Sequence, residues 1–253
     1  MKRTAIGALF LSCSLAAPAL AQKAVPVAEE PHHHLVFSGK HLNVFRVIVP
    51  AHSATLVHEH AVDYFWIAIG ASQFVNASVG KPEAPVTAAD GSVHFTRGGF
   101  AHAARVDGDK AFRNVTIELP QAQTDPRSLC EPVIADQPTD CGPAMVRAAA
   151  LFSGAAILPE FETDQVRVTL ITMAPHATLE LARHREAPLL VAVDDVPGEL
   201  PITCPVNDDP KGFMLQSRSG NTYRLKRSGR CSVSNNTKSP VRFLAIELLT
   251  PAH

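Results

Sequence analysis

His52-Ser-Ala-Thr-Leu-Val-His58-Glu59-His60-Ala-Val-Asp63-Tyr64-Phe65-Trp66-Ile67-Ala68-Ile69-Gly70 is the stretch on which the fold turns. His58 and His60 are two residues apart. On a β-strand both imidazoles therefore face one side, while Glu59 and Ala61 face the other. Asp63 precedes the apolar run Tyr64–Ile69, which Gly70 closes. Further along, Gly91-x5-Arg97-x-Gly99-x2-His102 brings a third imidazole. Three imidazoles and a carboxylate converging from neighbouring strands make a site for a divalent transition ion such as zinc, iron, nickel, copper or manganese.

This two-part pattern resembles the cupin superfamily of small β-barrels, whose motifs read G-x5-H-x-H-x3,4-E-x6-G and G-x5-P-x-G-x2-H-x3-N. His58, His60 and Gly70 match the first motif, with Asp63 in the place of the ligand glutamate. Gly91, Gly99 and His102 match the second. His52 stands where the opening glycine is expected, Arg97 replaces the proline and Val106 the asparagine. The spacing before Asp63 is one residue short. The resemblance implies His58, His60 and His102 as ligands, with Asp63, Tyr64 or water in fourth place. The cofactor would be one divalent transition metal: iron, manganese or zinc. Cupins of this ligand set include dioxygenases, oxalate-degrading enzymes, sugar isomerases and proteins without catalysis. The expected function is a metal-dependent oxidoreductase or lyase acting on a small organic acid or phenolic. The alternative is a non-catalytic periplasmic protein that holds a metal or small ligand. Phe65, Ile67 and Ile69 are expected to line the barrel on Asp63's side. Arg97 is read equally as a holder of a substrate carboxylate and as a turn residue in a surface ion pair. His94 is expected in the core or behind the ligands.

Residues 1–21 have the layout of a secretory signal: Lys2 and Arg3, an apolar run from Ala5 to Leu11, and the small-x-small site Ala19-Leu20-Ala21. Pro18 and the short apolar core argue against a membrane-spanning helix. The expected location is secreted or periplasmic, with no membrane association after cleavage. Removing Lys2 and Arg3 takes the net charge from −1 to −3. That balance gives no general attraction for nucleic acid or anionic lipid. Cys130, Cys141, Cys204 and Cys231 remain, an even number that suggests disulfides in an exported chain. Of the three pairings, Cys130–Cys141 with Cys204–Cys231 is the local one. The short loop would contribute on the order of 3 kcal/mol.

Residues 22–34, with Pro26, Pro31 and His32-His33-His34, read as an arm. The triple histidine reads as a polar segment leading into the first strand, with weak metal binding as the alternative, since three adjacent side chains cannot all face one ion. From residue 35 to 120 short β-branched runs such as Asn43–Val49, Phe74–Val79, Ser92–Thr96 and Phe112–Leu119 alternate with Gly, Asp and Pro breakers. This is the pattern of an antiparallel barrel. Residues 121–160 read as a proline-punctuated linker with a short helix at Ala144–Phe152. Residues 161–253 read as a second barrel. Gly91–Leu119 and Gly220–Leu248 align without a gap, matching Gly91/Gly220, Arg113/Arg242 and Ile117-Glu118-Leu119/Ile246-Glu247-Leu248. The expected fold class is thus all-β, two tandem antiparallel barrels of double-stranded β-helix or jelly-roll type, resembling the bicupins. In the same alignment His102 faces Cys231, and a second one puts His58 opposite Leu181, His60 opposite Arg183 and Asp63 opposite Glu186. The second barrel is therefore expected to be a structural partner without a metal. The basic cluster Arg218, Arg224, Lys226, Arg227 and Arg230 reads as a solvated strand edge, with a site for an anionic ligand as the alternative. Exposed edges favour a homodimer.

Overall fold

A computed structural model describes residues 23–143, 154–181, 189–203, 213–225 and 231–249. The signal segment, the helix expected at Ala144–Phe152, Cys204, the Arg183 and Glu186 positions, and Lys226, Arg227 and Arg230 lie outside those residues.

The described residues are all-β and form four sheets. In the first half, one sheet runs Val25–Pro26, His58–His60, Phe100–Val106, Ser72–Ser78, Ala84–Ala88, with Ser53–Ala54 also pairing to Phe100–Val106. A second runs His33–Ser38, Asn43–Val49, Phe112–Glu118, Tyr64–Ala68, Val93–Thr96. In the second half, Arg127–Ser128, Ala155–Glu162, Val166–Met173, Val241–Leu248, Leu189–Ala192 and Thr222–Arg224 form a third sheet. Thr178–Leu181, Cys231–Ser234, Glu199–Thr203 and Phe213–Gln216 form the fourth. Each half is a double-sheet barrel.

The second and third sheets share one core. Phe65, Ile67, Ile69, Val115 and Ile117 from the first half pack with Phe161, Val168, Leu244 and Ile246 from the second. The Phe161 ring lies 4.9 Å from Phe95 and 6.2 Å from Phe65. These sheets are buried on both faces, so their strands read as continuous apolar runs such as Tyr64–Ile69 and Leu189–Val193. This corrects the expectation that Phe65 and Ile67 line the site. Asp63 lies in the loop before the strand, so its direction does not set theirs. Within the strand, alternation sends Tyr64 and Trp66 inward and Phe65 and Ile67 into the core between the barrels.

The aligned segments occupy matching places. Gly91 and Gly220 have φ of +81° and +82°, conformations that favour glycine. Their N–H groups donate to Ala68 O and Ala192 O. Ile69 N–H donates to Arg113 O, and Val193 N–H to Arg242 O. Arg242 spans Asp90 and Asp194 at 2.6 Å each, while Arg113 donates to Ser219 O at 3.1 Å.

Two segments depart from the sequence reading. Residues 22–34 are not a free arm: Val25 and Pro26 pair in parallel with His58 and Glu59, and His33 opens a strand of the second sheet. The linker is partly structured, since Arg127–Ser128 pairs with Ala155–Glu162, whose strand starts before residue 161. Cys130 and Cys141 form a disulfide. Cys231 is also disulfide-bonded. Arg224 lies at the edge of the third sheet and stacks over Phe37.

Candidate metal centre

His58 and His60 sit on a three-residue strand in which Glu59 alone is exposed. Antiparallel pairing sets His102 directly opposite His58 and Phe100 opposite His60. The imidazole centroids of His58 and His102 are 4.5 Å apart, and those of His60 and His102 5.4 Å. The three predicted histidines therefore converge. A fourth joins them: His33 lies 4.6 Å from His58 and 5.9 Å from His60, centroid to centroid. One donor atom each of His33, His58 and His60 falls within 4.8 Å of the others. Read from sequence as a polar segment with weak metal binding as the alternative, His32-His33-His34 leaves His33 out of the expected ligand set. The available signal was strand alternation inside His32-His33-His34, which turns the middle ring inward and its neighbours outward.

Each ring is held through Nδ1. His33 Nδ1 donates to Glu30 Oε2 at 2.6 Å, and His58 Nδ1 to the carbonyl of Leu56 at 2.9 Å. His102 Nδ1 donates to Asn76 Oδ1 at 2.7 Å, and His60 Nδ1 lies 3.4 Å from Glu118 Oε1. A carbonyl or carboxylate oxygen only accepts, so the proton sits on Nδ1 and the lone pair on Nε2. Nε2 of both His58 and His102 is buried without a hydrogen-bond partner. Buried polar atoms are ordinarily satisfied, so two orphaned lone pairs among converging imidazoles fit a cation. Burial, then the neighbouring His33, holds His58 down to about 4 and His60 to about 3. Burial, then His58 and the other rings, takes His102 to about 2. His58, His60 and His102 are thus neutral near pH 7, the form that ligates. Burial alone would raise Glu30, yet His33 and the backbone N–H groups of Leu56 and His32 keep it below the usual carboxylate value. Burial raises Glu118.

Asp63 is placed differently from the expectation. Its carboxylate accepts from Arg97 Nη1 at 2.7 Å and from Gly98 N–H at 3.0 Å. It pins the Arg97-Gly98-Gly99 turn instead of joining the imidazoles. Gly98 packs so close to Val62 that a Cβ would lie 2.2 Å from that backbone. Arg97 also donates to Gln123 O, and its side chain is 55% exposed. It takes the turn-and-ion-pair role, outside the cavity. Tyr64 stacks on His60 with centroids 4.0 Å apart, and burial holds its hydroxyl well above the usual phenol value.

Beside the histidines lies a cavity of about 300 Å³ between the two sheets of the first half. Trp66, Phe74, Phe112, Val47 and Val86 form much of its wall, with His94 stacked on Trp66 at 4.1 Å. Val133 and Ala135, from the disulfide-bridged segment, complete the lining. The second barrel is filled instead by Met173, Leu179, Leu200, Ile202, Val233 and Phe243. Its register pairs Leu181 with Cys231, the place that His58 and His102 hold in the first.

No family model and no curated protein matches this chain. Solved structures do. AerE from Microcystis aeruginosa is similar at a TM-score of 0.59 and 10% identity, over 89% of this chain and 96% of that one. A single-site mutant of the oxalate decarboxylase of Bacillus subtilis is similar at 0.54 and 12%, over 83% and 70%. A mutant salicylate 1,2-dioxygenase of Pseudoaminobacter salicylatoxidans in complex with gentisate is similar at 0.51 and 9%, over 83% and 73%. A cupin 2 conserved barrel domain protein from Leptotrichia buccalis is similar at 0.52 and 8%, over 87% and 89%. At these identities the likeness is one of fold: the chain is an all-β protein built of cupin-type barrels.

Proposed function

We propose that this chain is an exported metal-dependent enzyme, a dioxygenase-like oxidoreductase or lyase, acting on a small phenolic molecule in the cavity of its first barrel. The orphaned Nε2 atoms of His58 and His102, beside His33 and His60, carry the reading. His33, His58, His60 and His102 would hold the ion, as nitrogen donors suited to iron, manganese or zinc. Such an ion supplies Lewis-acid polarisation of an oxygen ligand, and as iron or manganese also a redox centre for dioxygen. Glu30, Leu56 O, Asn76 and Glu118 orient the rings. Trp66, Phe74 and Phe112 exclude water and offer flat apolar surface to an aromatic ring. The gentisate-bound neighbour supports a small aromatic ligand for this fold.

Secretion or a periplasmic location fits the N-terminal signal pattern and the Cys130–Cys141 disulfide. The matching hydrogen bonds at Gly91 and Gly220 support an internal duplication in which the second barrel braces the first. The free edge strand His33–Ser38, with Leu35 and Val36 half exposed, suits self-association as a homodimer. One observation favours a non-catalytic, metal-holding role: a fourth imidazole, His33, stands beside the other three. Oxygen consumption separates the two. Iron- or manganese-loaded protein should consume oxygen with simple phenols and catechols, and lose that turnover in His58→Ala. Full metal loading without turnover of any phenolic or small acid would leave the binding role.

A further inference from the structure

The cavity contains a second polar element that the metal centre does not use. His94 stacks on Trp66 and lines the cavity wall. Its Nε2 lies 2.9 Å from Ser92 Oγ, and that hydroxyl donates to the carbonyl of Ala89 at 2.7 Å. A hydroxyl has one proton, and the carbonyl can only accept it. Ser92 Oγ must therefore accept from His94, which fixes the proton on Nε2 and leaves Nδ1 as a lone-pair acceptor. Among the described residues Nδ1 has no hydrogen-bond partner. Burial lowers the pKa of the ring and so disfavours its charged form. His94 thus presents an acceptor and no positive charge.

The remaining wall carries the complementary message. No Lys, Arg, Asp or Glu is among the described residues that line the cavity. Asn76, Asn114 and Thr116 are engaged with His102 or with each other. A carboxylate placed against Trp66, Phe74 and Phe112 would lose its hydration without gaining a counter-charge from any side chain of the wall, the ion proposed at the histidines being the one cation within the cavity. Arg97, the cation expected to receive one, is spent on Asp63 and Gln123. We propose that this cavity selects an uncharged, hydroxyl-bearing aromatic over its carboxylate analogue, with Nδ1 of His94 accepting the hydroxyl proton in a hydrogen bond. This rests on the proposed function for the choice of cavity alone, and it concerns the wall and not the ion.

The chain has one tryptophan, Trp66, so its indole N–H gives a single resonance that reports on the cavity. Purified full-length protein, as isolated and again after chelation, is titrated with phenol, anisole and benzoate. Phenol should shift the resonance saturably and bind about tenfold more tightly than anisole, which has the ring but no donor. Benzoate should bind the chelated protein more weakly still. His94→Phe keeps a ring on Trp66 and should erase the phenol-over-anisole preference while anisole still binds. Ser92→Ala, a milder change that frees the ring to turn, should reduce that preference. Benzoate binding the chelated protein as tightly as phenol, an unchanged preference in His94→Phe, or no response to any of the three overturns the proposal. The metal content of the same samples reports separately on the metal centre.

Discussion

Replacing Glu30 by alanine tests whether the N-terminal segment belongs to the metal centre. Glu30 is 1% exposed and accepts three hydrogen bonds: from His33 Nδ1 at 2.6 Å, His32 N–H at 2.8 Å and Leu56 N–H at 3.2 Å. The two backbone donors belong to residues that reach solvent, Leu56 being 38% exposed, so water can replace the carboxylate there. The His33 ring cannot reach water as easily, since its side chain is 5% exposed. The stability loss should therefore follow the one charge-assisted, buried bond, about 2–3 kcal/mol, and not three bonds summed. Loss of the group that fixes a ligand's tautomer should also weaken metal binding by about 10–100-fold. Urea unfolding of metal-free protein measures the first quantity, and competition against a chromogenic chelator the second. Glu30→Gln, which keeps one acceptor oxygen, should fall between. Metal affinity unchanged in Glu30→Ala would refute the place given to His33, even if stability fell.

Glu160 is 3% exposed, with Oε2 unpartnered, and burial then the nearby Glu131 raise it to about 8. Its folded value lies above the unfolded one, so stability is intact below about pH 4 and drains away as pH rises toward 8, by at most about 3 kcal/mol at neutrality. Glu160→Gln should flatten that slope in denaturation curves between pH 4 and 8, and parallel curves would contradict it. Phe161 is fully buried in the core shared by the two barrels, so Phe161→Ala should cost about 3–5 kcal/mol. Calorimetry should then show both barrels losing stability together; a shift confined to one of two separate transitions would argue against a shared core.

The barrels and three of the four histidines were legible because their signals are local. The spacing of His58 and His60 sets a common face, and the glycines flanking the second motif fix the strand that carries His102. His33 was hidden because it arrives from a strand distant in sequence. Only its pairing with Asn43–Val49 and the return of Val25–Pro26 beside His58 bring it in. Asp63 was misread because spacing counts residues and cannot see a competing cation: Arg97 and Gly98 N–H reach the carboxylate first. Phe65 and Ile67 were placed on the wrong face because a run apolar on both sides carries no alternation to read. The acceptor on His94 depends on a hydroxyl two residues away and on a carbonyl in a turn, neither of which a motif records.

The most direct measurement is elemental analysis of the purified protein, prepared without added metal or chelator, alongside His58→Ala and His33→Ala. The native protein should carry about one equivalent of a transition metal, His58→Ala should carry none, and His33→Ala should lose most of it on dialysis. No bound metal with no thermal shift on adding iron, manganese or zinc, or full occupancy in His58→Ala, would contradict the metal centre.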